Sequence, residues 1–234
     1  SEGQAGEALR AFTERGLVHV ADDRLGAMRE LIARWKERAL ADPGQCLIFA
    51  GEGREAAALN RMAQAERAAA GLLGAGRVAA GGEEFHAGDR VMFTRNTRVF
   101  GLRNGDLGMV LEARPDSGVL VVRLDGGRVV AVPLADYDHV KLGYAMTTHK
   151  GQGVTCEAAF VLAGGAMQDR HLSYVQASRA RGETRLFIDK PEAGAELTLL
   201  ARRMEQERFK GMASEILRQN QAAHQLRHES QEVH

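Results

Sequence analysis

Apolar residues near the start of the chain recur at helical spacing: Leu25, Met28, Leu31, Ile32 and Trp35, with Asp22 or Asp23 placed to cap the first turn. Residues 7–42 therefore read as mostly helical, and Pro43-Gly44 closes them. Cys46-Leu47-Ile48-Phe49-Ala50 then forms a strand-like run, followed by a glycine turn and an alanine-rich helix from Glu55 to about Ala70. A β-turn-α unit of this kind is the expected opening of a parallel α/β domain. Gly51-Glu52-Gly53 in the turn resembles a phosphate-binding loop, although a lone G-x-G also marks a plain tight turn.

From His86 to Lys141 the pattern changes to short strands separated by glycine turns. Arg90–Thr94, Gly108–Glu112, Gly118–Leu124 and Arg128–Val132 each read as strands, with Asn104-Gly105 and Asp125-Gly126-Gly127 as hairpin-type turns. So many short strands in so small a space predict a small SH3-like barrel. Parallel α/β texture then returns, with strands at Tyr144–Thr148, Ala158–Leu162 and Thr184–Asp189 and a helix through Tyr174–Arg181. The barrel thus reads as an insertion. After Pro191 the chain is polar and helical.

The expected organisation is an N-terminal helical segment over 1–42, an α/β domain over 43–88 and 142–191, the barrel over 89–141, and a polar helical tail over 192–234. At 234 residues there is enough chain for one large or two modest cores. The 31 basic and 31 acidic side chains cancel, so any basic surface must be local. Cys46 and Cys156 lie in apolar stretches and read as buried thiols of a reducing compartment. No apolar run is long enough to span a bilayer, which predicts a cytoplasmic protein with no membrane partner, and the opening Ser1 suggests a piece of something larger.

Two segments carry the chemistry. Thr147-Thr148-His149-Lys150-Gly151-Gln152-Gly153 is a strand running into a glycine-rich turn, where ligands of parallel sheets collect. Thr148 and His149 can bond a phosphate, Lys150 can neutralise it, and Gly151 and Gly153 permit close backbone approach; an ordinary polar turn is the alternative. Tyr174-Val175-Gln176-Ala177-Ser178-Arg179-Ala180-Arg181 presents arginines suited to bidentate phosphate contact, or else a solvated basic face. No G-x-x-x-x-G-K-[ST] phosphate loop occurs anywhere. Histidines and cysteines show no metal-ligand spacing. His224 and His228, four apart in the tail, read as a solvated helix end, and Cys156 with His149 as a buried thiol beside a loop.

THKGQG followed by YVQASRAR, ahead of Leu186-Phe187-Ile188-Asp189, resembles motifs V and VI of RecD-like superfamily 1B DNA helicases. Gly88–Asn96 followed by Asn104–Gly108 looks like the family's motif IV running into its SH3-like insertion, and the closest texture is the helicase part of conjugative relaxases of the TraA and TraI type. The resemblance covers roughly residues 43–190. It implies the second RecA-like domain of a helicase, with the inserted barrel and helical ends. Arg179 would be an arginine finger reaching ATP and Mg²⁺ held by a first RecA-like domain elsewhere in the polypeptide. Gln152 and Gly153 would line the nucleotide cleft. Thr148, His149 and Lys150 would contact single-stranded DNA, with Arg95 and Asn96 serving either ligand. Many superfamily 1 enzymes place a carboxylate shortly after the motif V glycine; here Val154 and Thr155 follow. Alone, the chain is expected to hydrolyse nothing.

Arg90–Arg103 interleaves arginines with Phe93 and Phe100, a composition suited to single-stranded nucleic acid. Phe93 reads as barrel core and Phe100 is left open; Trp35 reads as a packing anchor. A different class of function, a non-catalytic docking module for protein or DNA in a DNA-transfer protein, would make the secretion or transfer machinery the partner.

Overall fold

The computed structural model describes residues 13–147, 156–164 and 180–194, together with Leu199. Two sheets organise them. The first is a five-stranded, all-parallel sheet in the order β1-β12-β11-β2-β10, formed by Val18–Ala21, Ala180–Asp189, Cys156–Leu162, Cys46–Ala50 and Ala145–Thr147. Every residue of β2 is buried, which is why it reads as an unbroken apolar run rather than an alternation.

One face of this sheet is covered by α1 (Arg24–Ala39) and α2 (Gly53–Ala69). Asp23 caps α1 by accepting from the Gly26 amide at 2.7 Å. Met28, Leu31, Ile32 and Trp35 form its buried stripe, whereas Leu25 is half exposed. Trp35 is fully enclosed, its Nε1 donating to the Cys46 carbonyl at 3.3 Å and its ring meeting Tyr144 edge-on. On the other face, Leu47, Phe49, Ala159, Val161, Leu186 and Ile188 form a second core.

The second sheet is antiparallel, in the order β8-β7-β6-β5-β9: Val129–Pro133, Val119–Leu124, Leu107–Arg114, Arg90–Phe93 and Val140–Leu142. A hairpin of β3 (Arg77–Ala80) and β4 (Glu83–His86) packs against it. All seven strands fall between α2 and β10 in sequence. Gly108 in β6 permits a close approach between strands: a Cβ there would stand 2.6 Å from Val122 Cγ1 and 2.7 Å from the Arg123 carbonyl.

Two elements differ from the sequence-based expectation. Within residues 7–42 the described part, 13–42, is helical over Arg24–Ala39 as expected, but Val18–Ala21 is an edge strand paired in parallel with Leu186–Asp189. Tyr174–Arg181 is not helical to its end, because Ala180 and Arg181 already belong to β12. Both follow from β-pairing with partners distant in sequence, which overrides local preference.

α2 joins the two sheets through a buried polar seam. Asn60 uses both ends of its amide on Ala145, donating to its carbonyl at 2.9 Å and accepting from its N–H at 2.8 Å. Gln64 donates to Asp89 Oδ2 at 2.9 Å, and Arg67 donates to the carbonyls of Leu40 and Gly88. Asp89 lies at the head of β5 with no solvent exposure, and also accepts from the His86 amide at 2.7 Å and the Tyr144 hydroxyl at 2.6 Å.

Candidate nucleic-acid interface

Of the residues singled out from sequence, Thr148, His149, Lys150, Gln152, Gly153 and Arg179 lie outside the described residues. Their flanks are in place. Thr147 closes β10 at the carboxyl edge of the parallel sheet. Cys156 opens β11 beside Ala180, its partner in β12, so both strands begin at the same edge.

The carboxyl edge is held by Arg24, at the start of α1. Its guanidinium donates to Glu55 at 2.7 Å, to Asp189 Oδ1 at 3.2 Å and to the Ala163 carbonyl, tying together the ends of β11 and β12 and the first turn of α2. Gly164 follows with a φ of +107°, and a Cβ there would stand 2.8 Å from Arg24 Nη1. No local pattern announces this clamp, because its contacts reach 31 to 165 residues along the chain.

Around that edge stand Asp22, Asp23, Glu52, Glu55 and Asp189, against Arg24, Arg54 and Lys190. Glu52 takes the N-cap position of α2 and pairs with Arg54 at 2.5 Å. Carboxylates thus fill the space where a phosphate would meet the helix dipole. Gly51–Gly53 is a tight turn into the helix.

Arg95 and Asn96 are brought together on the 94–106 connection between β5 and β6, which is well braced. Thr97 and Leu102 exchange backbone hydrogen bonds of 2.9 and 3.0 Å, closing a small hairpin whose turn is Arg98-Val99-Phe100-Gly101. Asn96 Oδ1 accepts from the Asn104 amide at 2.8 Å, so that oxygen shapes the loop. Asp106 Oδ2 accepts from the Arg103 amide at 2.8 Å. Tyr137 donates its hydroxyl to the Arg95 carbonyl at 2.6 Å, and its ring packs on Phe93, Phe100 and His139. Burial pushes the Tyr137 hydroxyl upward and keeps it protonated as that donor.

The guanidinium of Arg95 donates to His139 Nε2 at 3.0 Å. That contact requires an imidazole neutral at Nε2. Arg128 donates to the carbonyls of Phe100 and Gly101 at 2.9 and 2.6 Å. Phe93 is core, as expected, and Phe100 is partly buried on Tyr137. Tyr137, His139 and Arg128 were missed in the sequence because they act on groups 27 to 44 residues away, Tyr137 and Arg128 on backbone carbonyls and His139 on the Arg95 guanidinium.

Beside the loop, Gly105, Asp106, Leu107, Leu124, Asp125, Gly126 and Arg128 line an open cleft of about 410 Å³. Buried Arg90 reaches Asp125 there through a two-pronged ion pair. Cys46 and Cys156 are buried free thiols. Burial raises both, Cys156 to about 11. Among the described residues no group of three metal-ligating side chains converges, and no helix is long and apolar enough to cross a membrane.

No protein-family model matches the chain. It is 35% identical over 191 residues to the conjugal transfer protein TraA of Agrobacterium fabrum strain C58, and 31% identical over 191 residues to a probable TraA of Sinorhizobium fredii. Each match takes in 80% of this chain and 17% of the relative, so the chain spans about a sixth of the length of these curated relatives. The ATP-dependent RecD2 DNA helicase of Deinococcus radiodurans is 38% identical over 108 residues, 45% of this chain and 14% of that protein. Among solved structures, a Bacteroides Pif1 helicase in complex with ADP-AlF3 and single-stranded DNA superposes over 67% of this chain and 44% of its own, with a TM-score of 0.50 at 18% identity, a likeness of fold. The chain belongs to the RecD-like group of superfamily 1B helicases, as THKGQG and YVQASRAR implied.

Proposed function

We propose that this chain is the C-terminal motor portion of an ATP-dependent DNA helicase or translocase of a conjugative relaxase. It binds single-stranded DNA and supplies Arg179 to ATP and Mg²⁺ held mainly by a first RecA-like domain of the same polypeptide. The observation that carries this reading is the pairing of Cys156 with Ala180. Gly153 precedes Cys156 by three positions and Arg179 immediately precedes Ala180. The two segments assigned to the nucleotide therefore lead into neighbouring strands at one edge of the sheet.

The opposite edge favours the same division of labour. Glu52 stands at the N-cap of α2 there and opposes a triphosphate on that helix end, which suits a domain that contributes a single arginine to a γ-phosphate bound elsewhere. ATP would supply the energy for movement. This chain's own residues would bind and orient: Arg179 toward the phosphate, Gln152 and Gly153 along the cleft, and Thr148, His149 and Lys150 on the DNA backbone just beyond β10. The antiparallel unit takes the part of the SH3-like insertion, with Arg95 facing the DNA, and the transfer machinery is a further partner of the intact protein.

Single-stranded DNA binding, followed by fluorescence anisotropy at several salt concentrations, tests the reading. Weak, salt-sensitive binding reduced by Lys150→Ala and by Arg95→Ala supports it. A folded chain that binds no DNA at low salt refutes DNA contact by this portion and favours a protein-docking module.

A further inference from the structure

Two edge strands of this molecule are closed off, and a third is left open. At the β10 edge of the parallel sheet, the Asn60 amide takes the backbone groups of Ala145. At one edge of the antiparallel sheet, β9 presents the Leu142 N–H to Glu83 Oε2 at 2.7 Å and holds Lys141 in water. Caps and charges of this kind keep a bare edge from pairing with another chain. The opposite edge of the same sheet, β8, has neither. Val129 to Leu134 reads Val-Val-Ala-Val-Pro-Leu without a charge, and among the described residues β7 is the one strand bonded to it.

The register with β7 fixes which groups stand free. Leu124 N–H donates to the Arg128 carbonyl at 2.8 Å and Leu134 N–H to the Gly118 carbonyl at 2.9 Å. Bonding to β7 therefore falls on Arg128, Val130, Val132 and Leu134. The alternate residues, Val129, Ala131 and Pro133, turn their backbone groups outward. Pro133 has no N–H, and its carbonyl accepts from the Asp136 and Tyr137 amides, each at 3.1 Å. That leaves Val129 and Ala131. Both are exposed, Val129 to 53%, whereas Val130 and Val132 point into the core.

An edge with two outward residues spaced by two is its own complement. Turned about a two-fold axis through Val130, a second β8 runs antiparallel to the first. Val129 of each copy then meets Ala131 of the other, in pairs of the kind that exchange both N–H···O bonds. Their side chains stand on one side of the joined sheet and pack across the axis. The uncharged stretch brings no like charges together. In this register Pro133 falls opposite Gly127 of the other copy, and a Cβ at Gly126 or Gly127 would meet nothing within 4 Å. The missing N–H thus ends the pairing where there is room for the adjoining turn.

We propose that β8 is a self-association edge, through which two copies of this chain join their antiparallel sheets, centred on Val130. It goes beyond the motor reading and does not depend on DNA. So few pairs make an interface smaller than that of a permanent dimer, and the association is transient. Both copies use the same edge, so the pair closes and does not grow into a fibre.

The test is analytical ultracentrifugation of the full 234-residue chain without DNA. The weight-average mass should be that of one chain at about 10 µM and rise toward twice that at about 1 mM, the range of a small transient interface. Amide hydrogen exchange over the same range locates the contact: Val129 and Ala131 should slow at least about threefold while Ile48 is unchanged. Val129→Lys, at so exposed a position, should leave the urea melt unchanged and hold the chain at the mass of one copy. A single-chain mass at every concentration overturns the proposal. So does a rise in mass that survives Val129→Lys or leaves the Val129 and Ala131 amides unprotected. Failure of the chain to bind DNA would refute the motor reading and leave this edge untouched.

Discussion

The Tyr144 hydroxyl donates to Asp89 Oδ1 at 2.6 Å, and this bond ties the last residue before β10 to the first residue before β5. Both side chains are buried, and Gln64 on α2 completes the contact from a third element. Burial, and then the neighbouring carboxylate, push the Tyr144 phenol well above its ordinary range, so it is the donor at every physiological pH. Tyr144→Phe leaves a buried carboxylate one donor short. A loss of about 1.5–3 kcal/mol is expected in urea melts, the usual scale for a hydrogen bond to a charged group.

The same carboxylate gives stability a pH dependence of known sign. Burial raises Asp89 above the ordinary aspartate value, outweighing the bonds from Tyr144, the His86 amide and Gln64 that pull it down. The native state therefore holds this proton more tightly than the unfolded chain. Its contribution is fully present below the unfolded value, about 4, and is lost as pH rises through the folded value. Urea melts from pH 4 upward should show this falling component in the wild type and not in Asp89→Asn. Tyr144→Phe, having lost a donor to the charged form, should carry the fall to higher pH. Identical pH profiles for wild type and Asp89→Asn would exclude Asp89 as its source.

Much of this framework was legible in sequence wherever one element carried its own signal. The unbroken apolar run Cys46–Ala50 marked a strand, Asp22 or Asp23 marked the start of α1 with Asp23 proving to be the cap, and Asn104-Gly105 marked a turn in which Gly105 has a positive φ. What escaped depends on remote partners. Val18–Ala21 is a strand only because Leu186–Asp189 lies beside it, and Val140–Leu142 is too short to announce itself. Asn96 was singled out through the motif IV resemblance, which does not reveal that its side-chain oxygen also braces the loop. Arg24, Tyr137 and Arg128 act on backbone far away in sequence, which no local spacing reveals.

Asn60 supplies to the edge strand β10 what a neighbouring strand would. Ala145 is paired on one side with Ile48, and on the other its N–H and carbonyl both meet the Asn60 amide. Asn60→Ala strands two buried backbone groups, for an expected cost of about 2–3 kcal/mol. Hydrogen exchange gives the sharper readout: the Ala145 amide should lose protection while Ile48 keeps its own. Uniform loss across the sheet would mean a global effect and no specific edge cap.

The two cysteines should be silent toward thiol reagents in the native state. Cys46 is 2% and Cys156 3% exposed, and burial raises both thiols, which leaves little thiolate to react. Ellman's reagent at pH 8 should titrate none of them in the folded protein and both after denaturation in urea. Rapid reaction of one thiol without denaturant would show that its strand opens locally.

Arg24 provides the most demanding test of the parallel sheet's carboxyl edge. Its planar guanidinium meets Glu55, Asp189 and the Ala163 carbonyl at once, and the Gly164 backbone comes close enough to leave no room for a Cβ. Arg24→Ala removes the cation from two largely buried carboxylates and the donor from a strand end, for about 3 kcal/mol, the lower end of the cost of breaking a buried pair because the arginine keeps some solvent contact. Arg24→Lys should recover only part of that loss, since a single ammonium cannot span three acceptors in different directions. Gly164→Ala attacks the clamp from its other side, through both the left-handed backbone and the clash with Nη1. Combined with Arg24→Ala it should cost less than the sum of the two, because the clash disappears with the guanidinium. Full additivity in the double variant would refute the close approach of Gly164 to Arg24.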